Sequence, residues 1–167
     1  AIGYRALYVQ DAGQNAYNIA VGYETGAAVT TGINNVLIGG LAGDALTSGD
    51  SNVAIGKNAM GAADGSESNN VAIGFGTLAA MNWNASNYNT AVGYDAGTAV
   101  TSGLKNTIVG GLAGDALTSG NYNTVLGYQA LSSEDAHSYN TAIGLGALFA
   151  QDAGADAYNT AVGHYAG

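Results

Sequence analysis

The sequence predicts an all-β fold, a parallel β-solenoid of about ten stacked coils, each roughly 17–19 residues long, a period in the range of known solenoid repeats. Three observations predict it. One five-residue phrase (Asn, a β-branched residue, two apolar residues, Gly) recurs along the whole chain. The eleven residues GGLAGDALTSG stand at 39–49 and again, letter for letter, at 110–120. The 167 residues include 27 Gly, no Pro and no Cys, and only 9% are charged against 47% hydrophobic. Ordinary soluble domains are about 25% charged. Self-similarity at a fixed short period is the signature of stacked repeats, each burying its apolar face against the next.

The phrase reads NIAVG at 18–22, NVLIG at 35–39, NVAIG at 52–56 and 70–74, and NTAVG at 89–93. It continues as NTIVG at 106–110, NTVLG at 123–127, NTAIG at 140–144 and NTAVG at 159–163. With the opening Ala1-Ile2-Gly3, its glycines fall at positions 3, 22, 39, 56, 74, 93, 110, 127, 144 and 163. The longer steps, those ending at Gly22, Gly93 and Gly163, recur every fourth coil. Residues 1–167 therefore read as one solenoid segment with a four-coil superperiod of about 71 residues, one period nested in another as repeat arrays allow. The twin GGLAGDALTSG phrases are one coil in two successive units. Both chain ends fall inside a repeat, so the segment is expected to be cut from something longer.

Each coil has a readable order. The residue after Asn is Ile19, Val36, Val53, Val71, Thr90, Thr107, Thr124, Thr141 or Thr160, always β-branched, and the residue before Gly is Val, Ile or Leu. Such residues suit a pleated strand. Asn18, Asn35, Asn52, Asn70, Asn89, Asn106, Asn123, Asn140 and Asn159 are expected to stack as an amide ladder that satisfies the backbone of neighbouring coils. Gly22, Gly39, Gly56, Gly74, Gly93, Gly110, Gly127, Gly144 and Gly163 are expected to hold a backbone angle, or a close approach, that a Cβ forbids. After the glycine come two variable residues, then Ala or Thr, then Leu, Met or Gly, read as a shorter second strand. Connections such as Thr47-Ser48-Gly49 and Thr118-Ser119-Gly120 carry turn chemistry. The coil reads as strand, turn, shorter strand, turn, stacked about 4.8 Å from the next. No apolar spacing of three to four residues supports a helix.

The strand phrase also predicts an oligomer. If its second and fourth residues face the coil interior, the third faces out. That third residue is Ala20, Leu37, Ala54, Ala72, Ala91, Ile108, Val125, Ala142 or Ala161, never polar. A strand apolar on both faces is buried on both, so this column is expected to form the contact of a parallel homotrimer. A cysteine at Ala91 is then expected to cross-link between chains, and one at Asp95 is not.

Other features exclude more than they assign. The net charge of −9 argues against nucleic acid, whose phosphates need a basic face. No apolar run approaches the roughly 20 residues of a membrane span, so no membrane insertion is expected. No Asp or Ser stands at a catalytic spacing pattern from His137 or His164 in the sequence, and Asp44 and Asp115 read as turn aspartates. The dense Gly-Gly-x-Gly-x-Asp runs of calcium-binding solenoids are missing. The expectation is a non-enzyme with no cofactor and no metal. Asn84-Ala85-Ser86 matches a glycosylation sequon.

Tyrosines flank the phrase: Tyr17, Tyr88, Tyr122, Tyr139 and Tyr158 precede the asparagine, while Tyr4, Tyr23, Tyr94 and Tyr128 follow the glycine, as Phe75 does. They read either as stacks along the fibre or as a sugar-binding surface. Receptor chemistry is expected in the ten-residue connections at 8–17, 79–88 and 149–158, with Tyr8, Met81 and Trp83 as possible surface contacts. The threonines after Asn in the second half raise ice binding as a third class. Valine or isoleucine there in the first half suggests an apolar interior column instead.

NTAIG, NVAIG and GYQAL at these spacings resemble the repeat region of bacteriophage tail-fibre proteins. They are also similar to the head repeats of trimeric autotransporter adhesins, which build a left-handed parallel β-roll from shorter coils. The resemblance covers essentially the whole chain. It implies a parallel homotrimer, on a virion or outside the cell, serving as a structural fibre segment that presents an attachment surface to a host glycan or protein receptor.

Overall fold

The computed structural model describes residues 1–133, 135–151 and 156–167. Nine strands of three residues each form one sheet: β1 (Ile19–Val21), β2 (Val36–Ile38), β3 (Val53–Ile55), β4 (Val71–Ile73), β5 (Thr90–Val92), β6 (Thr107–Val109), β7 (Thr124–Leu126), β8 (Thr141–Ile143) and β9 (Thr160–Val162). The sheet order is the chain order and every neighbouring pair is parallel. Registers match phrase to phrase, as in Ala20 with Leu37 and Ala91 with Ile108. The fold is therefore an all-β parallel solenoid with eight turns between β1 and β9, and an isolated bridge from Ile2 to Val21 extends it at the N-terminal side. No helix among the described residues is long and apolar enough to cross a membrane.

Three residues cannot hold a strand alone; the register holds these. The middle strand residue is sealed inside the coil in every case, with Leu37, Ala54, Ala72, Ala91, Ile108, Val125 and Ala142 at 0% exposure. Opposite it pack Val29, Leu46, Met60, Leu78, Val100, Leu117, Leu131 and Leu148. Side-chain volume is traded across this narrow core. Leu37 reaches so far that a Cβ on Gly26 would stand 2.7 Å from its Cδ1, and a Cβ on Gly97 would stand 3.0 Å from Cδ1 of Ile108. Coils with alanine in the strand instead place Met60 or Leu78 across from it. Close packing gives the largest strand residues, Leu37 and Ile108, glycines on the facing turn run, Gly43 and Gly114.

The segment after the glycine is not a second strand. It is a run of turns in which φ is positive at alternate residues, for example Glu24 (49°) and Gly26 (59°), or Gln129 (52°) and Leu131 (52°). The N–H groups of the two positive-φ residues go to opposite neighbouring coils, while the residue between them bonds within its own coil, as Ala42 N–H does to Gly39 O (3.2 Å). Leu41 donates to Tyr23 O at 2.9 Å on the preceding coil, and Gly43 donates to Ala59 O at 2.9 Å on the following one. The stacking bonds of a sheet are thus kept by a backbone too compact to be extended. Each non-glycine residue in this left-handed region costs about 1–2 kcal/mol, and the bonds above and below hold it there.

Candidate functional surface

The asparagine column is an unbroken ladder. The N–H of Asn35 donates to Oδ1 of Asn18 (2.8 Å), and the relation repeats at Asn52 (2.9 Å), Asn70 (3.0 Å), Asn89 (3.0 Å), Asn106 (2.9 Å), Asn123 (2.9 Å), Asn140 (2.8 Å) and Asn159 (3.2 Å). The amide nitrogens clamp the connection of the following coil, as in Asn35 Nδ2 to Gly49 O (2.8 Å) and Asn106 Nδ2 to Gly120 O (2.8 Å). Most of these amides are buried, where an unpaired polar group is costly and a paired one is not. The glycine column combines a special backbone with close approach. At Gly39 φ is +126° and a Cβ would stand 2.6 Å from the carbonyl carbon of Gly56.

A second ladder, missed in the sequence, runs the other way. Ile33 N–H donates to Asp50 Oδ1 (2.8 Å), and Asp50 N–H donates to Ser68 Oγ (2.9 Å). In the second unit Leu104 N–H donates to Asn121 Oδ1 (2.8 Å), Asn121 N–H to Ser138 Oγ (3.0 Å), and Ser138 N–H to Asp156 Oδ1 (3.0 Å). The signal was available: short acceptor side chains stand two residues before Asn52, Asn70, Asn123 and Asn140, and three before Asn159.

The facing of the strands reverses the expectation from sequence. Ala20, Leu37, Ala54, Ala72, Ala91, Ile108, Val125, Ala142 and Ala161 are core residues of a single chain, at 0–7% exposure, and are not available as trimer contacts. The cause is the asparagine. Its side chain must turn inward to reach the backbone of the next coil, and alternation along an extended strand then puts the third residue of the phrase inward and the second and fourth outward. Thr90, Thr107, Thr124, Thr141 and Thr160 accordingly face out, half-buried or exposed, and do not form an interior column.

The outward face is broad and uncharged, aliphatic in both central columns from β1 to β4 and threonine beside aliphatic from β5 to β9. Its two central columns are the residues after Asn and before Gly, with Ile19 at 51%, Leu126 at 48% and Val162 at 67% exposure. Aromatic columns flank it. Tyr122, Tyr139 and Tyr158 stack at 5.2 and 4.9 Å with interplanar angles of 3° and 8°. On the glycine side Tyr4 stacks on Tyr23 at 5.5 Å and Phe75 on Tyr94 at 5.4 Å. All three cations of the chain lie over rings: Arg5 over Tyr8 (4.7 Å), Lys57 over Phe75 (6.0 Å) and Lys105 over Tyr122 (5.1 Å). Arg5 also pairs with Glu24 at 2.8 Å.

Of the connection residues, Tyr8 and Trp83 are exposed, but Met81 is a core residue at 0% exposure and no surface contact. Met81 follows the turn run of its coil and fills the interior beside Leu78. In the connection at 149–158, residues 152–155 lie outside the described residues. Asn84 of the sequon is exposed, and its Oδ1 accepts from Ser66 N–H at 3.2 Å. His164 packs edge-on against Tyr165 at 4.6 Å. Among the described residues no group of three His, Cys, Asp or Glu comes together. A recess of about 680 Å³ beside Leu148, Thr160 and Ala166 is the end face of the last coil.

No protein-family model, curated protein or solved structure matches the chain.

Proposed function

We propose that this chain is a structural segment of an extracellular or virion fibre, of the tail-fibre kind, assembled as a parallel homotrimer and serving to extend and present an attachment surface. One observation carries the proposal: nine strands in one register make a rod, roughly 40 Å from β1 to β9 at the usual strand spacing, with an uncharged outward face on which the column of residues before Gly is apolar along its whole length. Soluble monomers rarely expose so continuous an apolar strip. A second copy in parallel register offers the same uncharged face at every step, and rotational symmetry closes such contacts into a finite assembly. The head of a trimeric adhesin is the cellular form of the same reading.

The contact residues follow from the observed facing. Val92 lies on the outward face, Ala91 is sealed in the core, and Asp95 belongs to the turn run. A Val92→Cys variant is expected to form disulfide-linked chains on mild oxidation, while Asp95→Cys stays unlinked. Light scattering is expected to give three times the chain mass. A monomer at micromolar concentration, with Val92→Cys unlinked, would refute the trimer.

The outward threonines also favour a second reading, because an ice-binding face needs a regular hydroxyl column open to solvent. Thermal hysteresis in a solution of the wild-type chain would replace the fibre reading; none is expected, since the column is valine or isoleucine from β1 to β4.

A further inference from the structure

The column before the ladder asparagine changes character between the two units. After a tyrosine at the head of each unit, Tyr17 and Tyr88, it holds Asn34, Ser51 and Asn69 in the first. In the second it holds Lys105, Tyr122 and Tyr139, and Tyr158 follows. The backbone does not ask for these rings. φ is 61°, 60° and 63° at Asn34, Ser51 and Asn69, and 57°, 65° and 51° at Tyr122, Tyr139 and Tyr158. Asparagine is among the side chains this left-handed region tolerates best, whereas a bulky one is uncommon there. A shared φ does send the three rings off the rod in one direction. Their register is held from beneath. Tyr122 N–H donates to Leu104 O and Tyr139 N–H to Asn121 O, both at 3.0 Å. The N–H groups of Asn140 and Asn159 reach the amide oxygen of the preceding coil at 2.8 and 3.2 Å.

The resulting stack differs in chemistry from the others of the chain. Tyr122, Tyr139 and Tyr158 lie nearly parallel, one coil apart, with centroids 5.2 and 4.9 Å from ring to ring. They are 46%, 44% and 68% exposed, so each phenol borders both another phenol and solvent. Phe75 and Tyr94 stack in a similar way at 5.4 Å, but one of those rings carries no hydroxyl. Tyr4 and Tyr23 carry two hydroxyls in a looser geometry, 5.5 Å and 17°. Among the described residues no other tyrosines stack on one another. Lys105 closes the near end of the stack, donating from Nζ to the Tyr122 hydroxyl oxygen at 3.3 Å. Tyr139 is therefore the ring with a tyrosine on each side.

We infer that Tyr122, Tyr139 and Tyr158 form an oxidative cross-linking site, where Tyr139 is joined to a neighbouring ring as dityrosine. The oxidant is of the one-electron class, a haem peroxidase supplied with hydrogen peroxide. Each of two adjacent phenols gives up one electron and one proton and becomes a phenoxyl radical. The radicals pair as a carbon–carbon bond between ring carbons beside the hydroxyls. Each of those carbons then releases its hydrogen as a proton while its ring oxygen takes one up, which restores both aromatic phenols. Hydrogen peroxide accepts the two electrons and two protons lost and leaves as two waters. Holding two rings one coil apart replaces a chance encounter by a local rearrangement. Exposed rings have room to turn about their side-chain bonds until the two carbons meet. The product ties the coil of β8 covalently to that of β7 or β9, bridging residues 17 or 19 apart in the chain. It concerns a single chain and goes beyond the fibre reading without resting on it.

The test treats the wild-type chain and a Tyr139→Phe variant with a haem peroxidase and hydrogen peroxide. Dityrosine fluorescence, a denaturing gel and mass spectrometry of the digested chain read the outcome. Wild type is expected to give, as its main product within one chain, a bond from Tyr139 to Tyr122 or Tyr158, with the loss of two hydrogen atoms. Tyr139→Phe keeps a ring in the stack and removes the central phenol, so that product is expected to vanish at an unchanged melting temperature. If this variant melts lower, Tyr122→Phe/Tyr158→Phe removes the same two pairs and takes its place. No dityrosine, a main within-chain bond between other tyrosines, fluorescence undiminished in the variant, or bonds formed only between chains would each overturn the site. A trimer that forms no such bond fails this inference alone, whereas a monomer that forms it fails the trimeric fibre and keeps the site.

Discussion

The coils of β1–β4 and those of β5–β8 form two four-coil units that diverge more on the outward face than in the core. Leu37 answers to Ile108, Val29 to Val100, Leu46 to Leu117, Met60 to Leu131 and Leu78 to Leu148, all in the core. On the outward face Ile19, Val36, Val53 and Val71 become Thr90, Thr107, Thr124 and Thr141. Each valine-to-threonine change keeps the branched shape that a strand favours and replaces a methyl by a hydroxyl. Asn34, Ser51 and Asn69 become Lys105, Tyr122 and Tyr139, and all six keep a positive φ between 57° and 65°. Interior volume and backbone geometry are therefore what the solenoid requires. Outward polarity is left free for whatever meets the face.

The largest effect is expected where the two units share a constraint. Gly39→Val and Gly110→Val each set a branched side chain at φ near +126° or +140° and against the glycine of the next coil. Each is expected to cost about 2–6 kcal/mol, the sum of backbone strain and overpacking. The two costs are expected to agree to within about 0.5 kcal/mol, since the sites are distant and alike. Gly40→Val and Gly111→Val, one residue on, are expected to shift the melting temperature little. Thermal melts followed by circular dichroism decide this: equal effects at adjacent glycines would show that the motif glycine has no special place.

Much of this architecture was legible because a solenoid writes its geometry as a period. The strand positions, the parallel register and the two-unit organisation all follow from the spacing of one phrase. The facing was misread because it was argued from hydrophobicity, and the strand is apolar at all three residues in its first half. The asparagine held the answer: a ladder amide has to point inward to reach backbone, and alternation from Asn89 then sends Ala91 in and Thr90 and Val92 out. The turn run after the glycine was opaque for another reason. Arg5, Leu41, Gln129 and Tyr165 give no hint of positive φ, because the stacking bonds, not residue preference, impose it. Met81 was read by its connection rather than by its distance from Leu78.

A reciprocal exchange sharpens the outward difference. If a second copy covers the face, the hydroxyl of Thr124 is buried against apolar neighbours, and its removal helps. Thr124→Val is then expected to stabilise the assembly by about 1 kcal/mol per chain, and Val53→Thr to weaken it by a similar amount. If the face is bare, both changes stay within about 0.5 kcal/mol. Melting temperature measured across protein concentration separates the two outcomes, since stabilisation through an interface depends on concentration.

The smallest effect concerns the twin phrase itself. Asp115 accepts a hydrogen bond from Ser132 Oγ, whose single proton has Leu112 O at 3.2 Å as its alternative acceptor. In the first unit the position of Ser132 is Gly61, and Oδ1 of Asp44 is buried with no partner. Burial raises the Asp44 carboxyl above its ordinary value of 3.8, and the charge of Glu24 adds to this, against the backbone N–H groups of Asp44 and Ala45, which lower it. A carboxyl raised in the folded state is protonated more readily folded than unfolded. Folding therefore takes up a proton in the window between the ordinary value and the raised one, so the Asp44 contribution grows as pH falls through that window and is lost as pH rises back. Asp44→Asn is expected to raise the melting temperature at pH 7 slightly and to erase that gain on acidification. Ser132→Ala is expected to leave Oδ1 of Asp115 without its hydroxyl donor, at a cost of about 1 kcal/mol. Melts of wild type and both variants measure this, at pH 7 and at lower pH for Asp44→Asn, and a Ser132→Ala variant that melts with wild type would show that the hydroxyl adds nothing at Asp115.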